Sequence, residues 1–136
     1  MDSTDEPLES PVRVLVADDE DSFRSTLRPL IERQPELTVV GEAADGLAAI
    51  ELTDALRPDA VVIDLHMPLV DGVTAVARLR RDHPTLCLIA LTGDPAPELH
   101  RAVEEAGADA VLLKGEMLEA LMERLATVRD RSGARK

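Results

Sequence analysis

At 136 residues and a net charge of −12, the chain has room for one domain with its own core and lacks the clustered Lys and Arg of a broad nucleic-acid footprint. Its single Cys, Cys87, makes no disulfide framework and points to a reducing, cytoplasmic setting, and no apolar run approaches the roughly 20 residues that cross a bilayer. The one aromatic residue, Phe23, offers no platform for stacking bases.

The first eleven residues, MDSTDEPLESP, are polar and acidic and lack the basic-then-apolar order of a signal peptide or membrane anchor. They are read as a flexible arm. VRVLVA (12–17) reads as a buried strand, and a helical pattern runs from about Ser22 to Arg33. Pro29 interrupts that pattern and predicts a kink or irregular turn. LTVVGEA (37–43) is the next strand, followed by a helix over GLAAIELTDALR, and DAVVIDL (59–65) leads to a helix over GVTAVARLRR. LCLIALT (86–92) then leads to PELHRAVEEAG, and DAVLLK (109–114) to EMLEALMERLATVR. Five continuous apolar runs alternate with helical segments through short connections, which predicts a parallel sheet covered by helices on both faces. The domain is expected over 12–128. A basic tail, 129–136, carries Arg129, Arg131, Arg135 and Lys136 and is read as a flexible, solvated end, with a partner contact as the alternative. In the last helix Met117, Leu118, Leu121, Met122, Leu125 and Val128 share one arc, expected to pack on the core and otherwise to meet a partner.

The chemistry gathers at strand ends. In an open parallel sheet, ligands sit beyond the carboxyl ends of the strands, where the strand order reverses. The first strand delivers Asp18 and Asp19, the third ends at Asp64, the fourth at Thr92 and the fifth at Lys114. Three carboxylates on one rim repel one another unless a cation joins them. Oxygen ligands of this kind suit Mg2+, which takes few protein ligands and keeps several waters. A hydroxyl and an ammonium beside them suit the remaining oxygens of a phosphoryl group. Lys114 stands out because the chain has thirteen Arg and only two Lys, the other being the last residue. His66 as a side-chain metal ligand is disfavoured among oxygen donors, and His83 and His100 are read as surface residues.

VLVADDE, VVIDLHMPLVDG, ALTG and GADAVLLK together resemble the receiver domain of two-component response regulators, over about Val12 to Val128. The resemblance implies a flavodoxin-like (βα)5 sandwich with strand order 2-1-3-4-5. It implies that Asp18 and Asp19 bind Mg2+ with Asp64 and the backbone carbonyl of His66. Asp64 would be the phosphoacceptor for a histidine kinase or phosphotransfer protein, Thr92 the switch hydroxyl and Lys114 a phosphate contact. Such a receiver is a switch that assists its own phosphorylation and dephosphorylation rather than a turnover enzyme. It would alter partner binding or dimerise, here through the 97–128 face. PELTVVGEAADGLAAIEL and the LLKG ending are most similar to the NarL/FixJ type, whose receivers usually precede a DNA-binding domain. After the last helical pattern only about eight residues follow, so the chain is expected to act as a single domain without direct nucleic-acid binding, the alternative being the receiver half of a longer NarL-type regulator. Val111 stands where the family often has Tyr or Phe, and Gly115 where it often has Pro. The switch is therefore expected to run through the 92–97 loop.

Two rival classes share parts of this pattern. A dehalogenase-type phosphatase also uses Mg2+ and a phospho-aspartate, but wants D-x-D after the first strand, where this chain has Asp18-Asp19-Glu20. A flavodoxin-type flavin carrier wants a hydroxyl- and glycine-rich loop there and aromatic walls.

Overall fold

The computed structural model describes residues 10–134. Its elements, in chain order, are β1 (Val12–Ala17), α1 (Asp21–Glu32), β2 (Leu37–Ala43), α2 (Gly46–Leu56), β3 (Ala60–Asp64), α3 (Gly72–Asp82), β4 (Cys87–Thr92), α4 (Pro97–Ala106), β5 (Ala110–Leu113) and α5 (Leu118–Ala134). All strand pairs are parallel and the order is β2-β1-β3-β4-β5. The flavodoxin-like arrangement implied by the family resemblance is the one observed.

Successive strand residues face opposite ways, so each apolar run feeds two cores. Val14 and Val16 join Leu27 and Ile31 of α1 and Leu121, Leu125 and Val128 of α5 on one face. Leu15 and Ala17 join Ile50 of α2, Val76 and Leu79 of α3 and Val103 of α4 on the other. This is why the strands read as continuous rather than alternating: both faces are covered. Between Val14 and Leu15 the register against β2 shifts, from Val39 to Gly41.

Helix ends follow their local chemistry. Asp45 caps α2 by accepting from the Ala48 amide at 2.7 Å, and Asp71 caps α3 by accepting from Thr74 N–H at 3.0 Å. Gly107 closes α4 at φ 125°, where an added Cβ would lie 2.6 Å from the Arg80 stem. The Arg80 guanidinium ties that corner together. It donates to the carbonyls of Gly107 at 3.0 Å and of Pro84 and Leu86 at 2.8 Å, and pairs with Asp109 at 3.0 Å.

Three local expectations need revision. α1 runs unbroken through Pro29, which sits on its exposed side, in the last turn. The donor that Pro lacks would have met the carbonyl of Ser25, itself exposed and open to water. α5 continues to Ala134, past the expected boundary at Val128, while residues 1–9 of the acidic arm and 135–136 of the basic tail lie outside the described residues. In the α5 arc, Met117, Leu121, Leu125 and Val128 are buried and Met122 is half-buried, but Leu118 is exposed. Among the described residues no helix is long and apolar enough to cross a membrane.

Candidate functional site

β2 lies outside β1 on one side of the sheet and β3 returns on the other, so the strand order reverses between β1 and β3. Asp18 follows the first and Asp64 ends the second. Asp18 is fully buried and Asp64 nearly so, at 4% exposure, whereas Asp19 is exposed. One carboxylate oxygen from each of Asp18, Asp19 and Asp64 lies within 4.8 Å of the others. The backbone sets the two buried groups: Asp18 Oδ1 accepts from the Glu20 amide at 2.8 Å, and Asp64 Oδ1 from the His66 amide at 3.1 Å. Gly72 lets the β3–α3 loop fold back on itself, since a Cβ there would lie 2.5 Å from the Leu65 backbone.

Lys114 enters from the end of β5, where its amide donates to the Thr92 carbonyl at 2.9 Å. Its ammonium lies 2.7 Å from Asp18 Oδ2, 3.1 Å from Glu20 Oε1 and 3.6 Å from Asp64 Oδ2. In this resting state its nearest partner is therefore Asp18 rather than Asp64. Asp18 Oδ2 is buried, and the Lys114 ammonium pairs with it. The ammonium also rests 4.4 Å from the centre of the Phe23 ring, a favourable cation–π placement. Burial works against the charge on Lys114, but the surrounding carboxylates more than offset it and hold its pKa above the ordinary lysine value. Asp64 shifts the opposite way to most paired carboxylates. Burial, with the nearby charge of Asp18, raises its pKa despite the His66 amide and Lys114.

These observations test whether the residues suit a divalent ion. Three clustered carboxylate oxygens, one of them on Asp64, whose ionised form burial disfavours, are the kind of donor set a hard divalent cation takes. The residues fit Mg2+.

A search against protein-family models matches the response regulator receiver domain over residues 14–126. The chain belongs to the response regulator receiver family. Among curated proteins, the receiver is 38% identical over 117 residues to the nitrate/nitrite response regulator protein NarP of Escherichia coli, spanning 86% of this chain and 54% of that protein. It is 41% identical over 102 residues to a protein-glutamate methylesterase/protein-glutamine glutaminase of Alkalilimnicola ehrlichii, spanning 74% of this chain and 26% of that one. The receiver thus covers about a quarter to about half of these relatives. Among solved structures, the signal receiver domain of NarL from Mycobacterium tuberculosis superposes with a TM-score of 0.83 at 29% identity, covering 89% of this chain and 98% of that one.

The fold brings all five strand-end residues, Asp18, Asp19, Asp64, Thr92 and Lys114, to the same edge of the sheet. Sequence reasoning missed four neighbours: Glu20 on Lys114, Phe23 beneath it, Arg24 on the Asp18 carbonyl, and the His66 ring, whose Nε2 lies 2.9 Å from Thr92 Oγ1. Glu20 and Arg24 were visible only as members of a charged run. His83 is not a plain surface residue, because its Nε2 meets Asp54 Oδ1 at 2.8 Å with the side chain 11% exposed. His100 Nε2 meets the Asp94 carbonyl at 2.8 Å.

Proposed function

We propose that Asp64 accepts a phosphoryl group from a phosphohistidine of a sensor kinase or phosphotransfer protein. An Asp64 carboxylate oxygen attacks phosphorus, the P–N bond breaks, and the electron pair leaves with the donor imidazole, which takes up a proton. Asp18, Asp19 and Asp64, with the carbonyl of His66, would hold Mg2+. Bound there, the ion offsets the negative charge that gathers as a phosphoryl group meets three carboxylates.

The chain's own residues do the rest. Asp18 and Lys114 are held together at the buried end of the site, so Lys114 is placed to turn from Asp18 Oδ2 to a phosphoryl oxygen. Thr92 offers its hydroxyl to another. The 97–128 face carries the change to a partner or to a second copy, and the domain core spans 12–128 between the acidic and basic ends. We place this switch in the cytoplasm and assign it no turnover activity of its own. Because NarP is about twice as long as the region it shares with this chain, a receiver within a longer NarL-type regulator is the second reading.

The observation that carries the proposal is the three-carboxylate cluster of Asp18, Asp19 and Asp64 with the Lys114 ammonium 2.7 Å from Asp18 Oδ2. Incubation with acetyl phosphate and MgCl2 should label the protein stoichiometrically, and Asp64→Asn should take no label. The double variant Asp18→Asn/Asp19→Asn should bind no Mg2+ at millimolar levels and take no label. Label persisting on Asp64→Asn would refute the assignment, and sustained turnover of the donor would favour a phosphatase instead.

A further inference from the structure

The His66 ring is not used by any step above, yet it occupies a decisive place. Its backbone amide donates to Asp64 Oδ1 at 3.1 Å, while its ring Nε2 lies 2.9 Å from Thr92 Oγ1. One residue therefore touches both the acceptor carboxylate and the hydroxyl assigned to the phosphoryl group. Thr92 is fully buried, and a hydroxyl carries one proton to give and two lone pairs to fill. The Asp94 amide donates to Oγ1 at 3.0 Å and so fills a lone pair. Of these two partners only the imidazole can take the hydroxyl proton. His66 is itself exposed, so its own ring proton can sit on Nδ1 and be served by water, leaving Nε2 as an acceptor.

We propose that His66 is a positioning residue: in the resting receiver its imidazole accepts the Thr92 hydroxyl proton, and it competes with a phosphoryl oxygen for that proton. The inference rests on Asp64 being the phosphorylated group. It gives the receiver a read-out that does not need an aromatic ring at Val111. Phosphorylation breaks the O–H···N bond between the β3–α3 loop and the end of β4, which frees the Thr92–Asp94 segment to move with its hydroxyl. No proton leaves either residue; the hydroxyl only changes acceptor.

The sign of the competition makes it testable. Titrating beryllofluoride in MgCl2 and following the Thr92, Gly93 and Asp94 amides by NMR gives an apparent affinity for the phosphoryl mimic. Removing one competing hydrogen bond should tighten it, so His66→Ala should respond at about fivefold lower mimic concentration than the parent. His66→Gln, whose side-chain carbonyl can also accept, should return towards the parent. In a Thr92→Val background His66→Ala should have no further effect, and nitrogen NMR of the resting parent should show Nε2 without a proton. Unchanged or weaker capture by His66→Ala, or a protonated Nε2, would overturn the inference, since a ring that donates to Oγ1 would steer the hydroxyl proton towards the ligand. The two readings fail differently. A parent silent to beryllofluoride overturns the Asp64 assignment and this inference with it, whereas a responsive parent matched by His66→Ala overturns the inference alone.

Discussion

Two clusters of charged side chains behave in opposite ways. On the α1–β2 flank, Glu42 receives Arg28 at 2.8 Å and Arg24 at 3.0 Å, and chiefly the Arg28 hydrogen bond lowers its pKa against the opposing effect of burial. At the mouth of β1 and β3, burial raises the pKa of Asp64, and one ammonium serves three carboxylates. The flank is finished by the chain itself. At the mouth one ammonium faces three carboxylates, an arrangement that suits a divalent cation. The backbone repeats the contrast: Leu69, in the loop after Asp64, holds φ 77° and is 75% exposed, a conformation that a leucine adopts only at a cost.

Breaking a finished cluster should cost stability without touching the chemistry. Arg80→Met removes the donors to three carbonyls and the pair to Asp109 at the α3–β5 corner. It should lose roughly 2–3 kcal/mol in urea unfolding, while labelling of the protein by acetyl phosphate persists. Labelling lost together with stability would show that the two regions are not separable. Relaxing the mouth should do the reverse. Leu69→Gly relieves the left-handed strain and should gain about 0.5–1 kcal/mol, net of the entropy that glycine adds to the unfolded chain. A destabilised variant would mean that the exposed side chain contributes packing that outweighs the strain.

The smallest effect belongs to Glu42. Its folded pKa lies below the ordinary 4.5, so its contribution is present above that value and is lost as pH falls through the lowered folded one. Glu42→Gln should therefore cost about 0.5 kcal/mol at neutral pH, and the gap to the parent should close in acid. Asp64 has the opposite sign: its raised folded pKa means that stability falls as pH rises from the ordinary value of 3.8 through the folded one. A gap between Glu42→Gln and the parent that stays constant down the acid limb would contradict the pairing.

The strands were legible because a sheet covered on both faces demands continuous apolar runs, as in Val14–Val16 and Val61–Ile63. Asp18, Asp19, Asp64, Thr92 and Lys114 were legible for a related reason: parallel strands bring their carboxyl ends to one edge whatever the side chains do. Contacts that depend on rotamers across separate loops were not. Nothing in the spacing placed Lys114 nearer Asp18 than Asp64, set Phe23 under the ammonium, or turned the His66 ring onto Thr92. Pro29 misled because the rule against proline within a helix assumes a partner carbonyl with no other recourse, and Ser25 is exposed to water.

The most direct test is thermal unfolding of the parent and of Asp64→Asn, each with and without MgCl2. If the carboxylates of the mouth repel one another, Asp64→Asn relieves that repulsion and should melt higher than the parent in the absence of the ion. MgCl2 should then raise the parent substantially and the variant little. A variant that melts lower than the parent without the ion, or a parent indifferent to MgCl2, would contradict the claim that these carboxylates repel one another and suit a divalent cation.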